Sequence, residues 1–161
     1  MLKNEKLKSL SLKNKKTAME ISLKLVEETG EVSEAVLKML GTNGMAYKVS
    51  SENPVDNVKE ECVDVMMIAT SLIYKLDGES AIIEENLEIK SEQSELELAL
   101  ELSIATGEVS KKMIDSGHEI SKKANYVNSV ALSIFCKVGG TEKELTDFLS
   151  HKIQKWQKVS S

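Results

Sequence analysis

The chain contains no arginine: all 21 of its basic residues are lysines. Bidentate guanidinium recognition of phosphate or carboxylate is therefore closed to it, and a phosphate must be met by a local lysine or a metal ion. A single proline and eight glycines in 161 residues leave few interruptions to helices. Only two cysteines are present, Cys62 and Cys136, each inside an apolar stretch with helical spacing, so both read as reduced core residues.

Basic residues are also in deficit. A formal charge of -5 excludes a general affinity for polyanions such as duplex DNA. The opening MLKNEKLKSLSLKNKK holds lysines but no apolar core of signal-peptide length. The most apolar run, Val63 to Ile73, is interrupted by Asp64 and is too short to span a bilayer. No membrane partner and a cytoplasmic location are the expectations. Phosphate-binding loops, GxGxxG turns, CxxC pairs and Glu-x-x-His motifs do not occur.

What is there is apolar periodicity. Hydrophobic residues are 41% and charged residues 29%, the balance of a globular chain. At this length it can bury roughly 70% of its unfolded surface without staples. Residues 17 to 40 follow helical spacing up to Gly41, a helix of about 36 Å at 1.5 Å per residue. Asn53-Pro54, a cap followed by proline at the first helical position, opens a second helix over 54 to 76 whose apolar surface runs nearly all round. After Asp77-Gly78, Ser80 is expected to cap a helix continuing to Asp115. Two more helices are expected, Ser121 to Val138 and, behind a Thr141/Glu144 capping box, a last one to Lys158. The fold class is all-α.

The chain also repeats itself. Thr29-Gly30-Glu31-Val32-Ser33 recurs as Thr106-Gly107-Glu108-Val109-Ser110, with Leu23 and Leu25 matched by Leu100 and Leu102. Val63-Asp64 then corresponds to Val127-Asn128, Lys75 to Lys137, Gly78 to Gly140, Leu87 to Leu149 and Lys90 to Lys152. One compact unit over 1–161 is expected, built from modules 1–94 and 95–161 packed about a pseudo-twofold axis in imitation of a homodimer.

Acidic residues mark the first module. Glu28 and Glu31 lie three apart on one helix, and Glu61 and Asp64 three apart on the next, so each pair leaves a single helical face. A lone helical glutamate is usually solvated. Asp64, set among Val63, Val65, Met66, Met67 and Ile68, is harder to leave charged without a cation or donors. Carboxylates converging from two facing helices repel by roughly 4 kcal/mol per pair at 4 Å and an effective dielectric near 20. Hard oxygen ligands of this kind suit Mg²⁺ or Mn²⁺.

LKLVEETGEVSEAVLKMLG followed by VKEECVDVMMIATSLIYKL resembles the MazG-like family of all-α nucleoside triphosphate pyrophosphohydrolases, relatives of the dimeric dUTPases, whose signature is EExxE and then ExxD. Glu27, Glu28 and Glu31, then Glu61 and Asp64, fill that signature. The resemblance covers residues 17 to 94 and, more weakly, 95 to 158. It implies Mg²⁺ held by Glu28, Glu31, Glu61 and Asp64, with Glu27 or a ligand such as Glu28 orienting the attacking water. The substrate it implies is a nucleoside triphosphate, cleaved to monophosphate and pyrophosphate.

The family's phosphate-contacting lysine is matched by Lys90 and Lys152, but its asparagine or arginine partner is replaced by Ser94 and Trp156. Lys155 can supply the missing charge, and Trp156 can stack on a base. In the second module Ile104 and Ala105 replace Glu27 and Glu28, and Asn125 and Asn128 replace Glu61 and Asp64, leaving only Glu108. The alternative to an enzyme is a nucleotide-sensing or protein-binding module that kept the fold and lost turnover. Association into a further homodimer is left open.

Overall fold

The computed structural model describes residues 1–41, 53–84 and 91–160. Among them are six α-helices, one 3-10 turn and no strand. The helices are α1 Glu5–Lys13, α2 Ala18–Met39, α3 Pro54–Leu76, α4 Glu95–Asp115, α5 Ile120–Lys137 and α6 Glu142–Ser160; the turn is Glu79–Ala81. None of the described helices is long and apolar enough to cross a membrane.

Side-chain caps set most helix starts. At α2, Thr17 accepts from the Glu20 amide while Glu20 reaches back to the Thr17 amide; Ser94 and Glu97 repeat the arrangement at α4. Asn53 accepts from the Val55 and Asp56 amides ahead of Pro54, and Thr141 and Glu144 form the expected box at α6.

One expectation needs correcting, and one further helix is present. The stretch after Gly78 is not one helix to Asp115: a single 3-10 turn gives way to non-helical backbone at 82–84, and α4 begins only after Ser94. Competing hydrogen bonds explain the break. The Asn125 side chain donates to the Ala81 carbonyl at 2.7 Å and accepts from the Ile83 amide at 3.0 Å, using backbone groups that a helix would need. Residues 85–90 lie outside the described residues. The further helix is α1, which arises in the lysine-rich opening. Asn4 caps it, and fully buried Leu7 and Ser11 supply its inward stripe. The Tyr74 hydroxyl on α3 accepts from the Asn4 amide at 3.0 Å and donates to the Leu2 carbonyl at 3.2 Å, fixing the helix's approach.

Helix α2 packs on α3 and α4, α3 packs on α5, α4 on α5, and α1 and α6 both lie against α3. One hydrophobic core runs through all six, with Leu7, Leu25, Leu72, Leu102, Phe135 and Ile153 each at most 2% exposed. Burial on this scale, at about 25 cal/mol per Å² of apolar surface, is the main stabilising contribution. Matching positions of the repeat make matching contacts. The Thr29 and Thr106 hydroxyls meet each other at 2.9 Å in the core. Lys75 donates to the Asn14 carbonyl at 2.7 Å, and Lys137 to the Ser91 carbonyl at 3.4 Å, each just before the helix that carries the shared pentapeptide.

Candidate metal centre

Helical spacing brings the acids together. The buried stripe of α2 includes Leu25, Glu28, Thr29 and Val32, so Glu28 points inward with the core residues instead of outward with Glu27. On α3, Glu61 stands beside buried Val58, Cys62 and Val65. One carboxylate oxygen from each of Glu28, Glu31 and Glu61 lies within 4.8 Å of the other two.

Glu28 is only 7% exposed. Its Oε1 meets the Lys24 ammonium at 2.9 Å, while Oε2 is buried without a partner, as is Oε2 of Glu61. A buried acceptor left unsatisfied costs about 1–3 kcal/mol, and more when it carries charge. Two such oxygens in one small group are unfavourable for the fold by itself. They are the donors expected of a site completed by a ligand.

The electrostatics agree. Burial, then the Asp64 charge and contact with Glu31, push the Glu61 carboxyl up to about 8. Burial and the neighbouring Glu28 also raise Glu31. Asp64 is raised by burial, offset in part by Lys152, whose ammonium sits 2.8 Å from Asp64 Oδ2. Acids that resist ionisation next to one another are short of positive charge. Hard oxygen donors fit Mg²⁺ or Mn²⁺. Cys62 is no competitor as a ligand, since full burial pushes its thiol upward and keeps it protonated.

Beside the carboxylates lies a cavity of about 650 Å³. Glu28 and Asp64 form one side of it, Lys24, Lys152 and Lys155 contribute cationic groups, and Trp156 an aromatic wall. Ser71, 1% exposed, lines the same space with its hydroxyl unpartnered.

Of the residues expected from sequence, Glu28, Glu31 and Glu61 gather into one group. Asp64 lies within their electrostatic reach but is turned onto Lys152. Lys152, Lys155 and Trp156 line the adjoining cavity. Glu27, with its side chain 59% exposed, pairs with Lys24 at 3.2 Å and stays outside the carboxylate group. Lys90 lies outside the described residues. Sequence reasoning missed Lys24, although its position four residues before Glu28 is a readable helical ion-pair spacing. It also missed Ser71 and the Asn14 to Lys16 linker on the cavity edge, where no local motif marks the role. No family model, curated protein or solved structure matches the chain.

Proposed function

We propose that the chain is a Mg²⁺-dependent nucleoside triphosphate pyrophosphohydrolase of the MazG-like kind, releasing a monophosphate and pyrophosphate. The observation that carries this reading is the pair of buried, unpartnered oxygens on Glu28 and Glu61, inside a carboxylate group that borders a lysine-edged cavity.

Glu28, Glu31, Glu61 and Asp64 would hold the divalent ions. Bound there, the ions would neutralise triphosphate charge and supply a water of lowered pKa. Lys152 and Lys155 place ammonium groups in the cavity to offset charge on the departing pyrophosphate. Trp156 offers a ring face for a base, and Ser71 a hydroxyl for a polar edge. Without a metal, burial and the neighbouring acids hold Glu61 towards its protonated form, so binding of a divalent ion there would release a proton. The matched contacts at Thr29 and Thr106, and at Lys75 and Lys137, support a pseudo-dimeric packing in which the second module walls the site without ligating metal.

Incubation of the purified chain with a panel of nucleoside triphosphates and Mg²⁺ tests the proposal. Monophosphate and pyrophosphate in equal amounts are the expected products. Binding without release by any member of the panel would favour the sensing module instead.

A further inference from the structure

The ion pair between Asp64 and Lys152 joins α3 to α6 across 88 residues of sequence, with Nζ 2.8 Å from Oδ2. It is mostly shielded, the two side chains being 29% and 16% exposed. The partners are unequal in freedom. Asp64 sits on a helix buried on nearly every side, while Lys152 is a long, jointed side chain next to core-anchored Ile153 and Leu149. Both line the 650 Å³ cavity, so the ammonium can swing into that space without α6 leaving its place.

Asp64 lies within electrostatic reach of the three gathered acids, and one carboxylate oxygen on each of Glu28 and Glu61 is buried without a hydrogen-bond partner. Two acids of the set already have a cation supplied by the chain: Glu28 from Lys24 on its own helix, and Asp64 from Lys152 across two helices. A divalent ion engaging Asp64 has to compete with an ammonium at hydrogen-bond distance. Once both cations share that volume, Coulomb repulsion favours the lysine leaving for the cavity.

We propose that Lys152 is a resident counter-cation of the metal centre: it occupies Asp64 in the metal-free chain and transfers to the ligand's phosphate when metal and polyphosphate arrive together. This rests on the metal-site reading above. It makes Lys152 a positioning residue that links two binding events. Metal binding frees an ammonium for phosphate, phosphate takes that ammonium away from Asp64, and each ligand tightens the other by the same factor. Metal alone is correspondingly held weakly, which limits idle occupation of the site without substrate.

The test is calorimetric titration of Mn²⁺ alone into the wild-type chain, Lys152→Met and Lys152→Arg, with circular dichroism confirming helical content. Lys152→Met is expected to bind Mn²⁺ about tenfold more tightly than wild type, within the usual range of such couplings, and Lys152→Arg to stay close to wild type. Equal or weaker Mn²⁺ binding by a folded Lys152→Met would overturn the exchange while leaving the metal centre intact. No Mn²⁺ binding by the wild-type chain would remove the metal centre and the exchange together. A second readout needs no variant: acylation of the Lys152 amine, followed by mass spectrometry, should rise when Mg²⁺ is added. Protection unchanged by Mg²⁺, in a chain that binds it, would show that the pair only ties α6 to α3.

Discussion

The two halves of the repeated sequence carry opposite chemistry at matching positions. In the first, Glu61 gathers with Glu28 and Glu31, and Asp64 pairs with Lys152 at the edge of the cavity. In the second, the matching Asn125 and Asn128 are 6% and 3% exposed and spend their amides on structure. Asn125 clamps the chain at Ala81 and Ile83, and Asn128 donates to the Thr70 hydroxyl at 3.1 Å. An amide both donates and accepts, and Asn125 uses both functions in the packed interior; a carboxylate only accepts, and it accumulates charge that a cation must answer. Glu108, the one acid kept in the second half, lies near the surface 3.8 Å from Lys123. The difference lies in charge: Asn128 also leaves its Oδ1 buried without a partner, but a neutral amide brings no charge that a cation must answer.

A reciprocal exchange between the halves has the largest expected effect. Asp64→Asn should lower turnover by on the order of 10²–10³, the scale seen when one preorganised electrostatic partner is lost, with helical content kept. Asn128→Asp should leave turnover near wild type but cost about 3 kcal/mol of stability, because it introduces an uncompensated buried charge. Steady-state pyrophosphate release and urea unfolding of both variants check the pair. Unfolding by Asp64→Asn, or lost turnover without lost stability in Asn128→Asp, would break the division between the halves.

Much of this was legible in the sequence. Helices α2, α3, α5 and α6, the caps at Asn53 and Thr141, the C-terminal end of α4 and the gathering of Glu28, Glu31 and Glu61 follow from periodicity and spacing, which are local signals. The failures have one cause: they depend on partners far along the chain. The stretch after Gly78 reads as helix until Asn125, more than forty residues on, takes its backbone groups. Helix α1 is too short to hold its shape by propensity and needs α3, through Tyr74 and the burial of Leu7. Asp64 was readable as a buried acid, but its engagement with Lys152 was not, because no periodicity specifies how α6 lies against α3.

A smaller effect separates the halves by pH. Glu61 has its folded pKa raised to about 8 from the ordinary 4.5, so the folded chain holds a proton there that the unfolded chain releases. Stability from this group is therefore full below about 4.5 and falls as pH rises towards 8. In metal-free buffer, melting temperature should decline across that window, and Glu61→Gln should flatten the decline. Asn125, which does not titrate, contributes no such slope. A Glu61→Gln variant with the same pH profile as wild type would mean that its carboxyl is not kept from ionising by its neighbours.

The smallest effect is expected where the halves touch. Thr29 and Thr106 are the same position of the repeat, 5% and 3% exposed, and their hydroxyls bond to each other at 2.9 Å. Changing one alone to valine leaves the other hydroxyl without this partner in the core, at a cost of about 1–3 kcal/mol. Changing both removes donor and acceptor together and replaces them with methyl groups of similar shape, which should be nearly neutral. Chemical denaturation of Thr29→Val, Thr106→Val and the double variant therefore ought to show strong non-additivity, with the double variant more stable than either single one. Additive losses would mean that each hydroxyl has other uses and that this contact does not couple the halves. Strong coupling would place a junction of the two halves at these threonines, apart from the carboxylates of the first half.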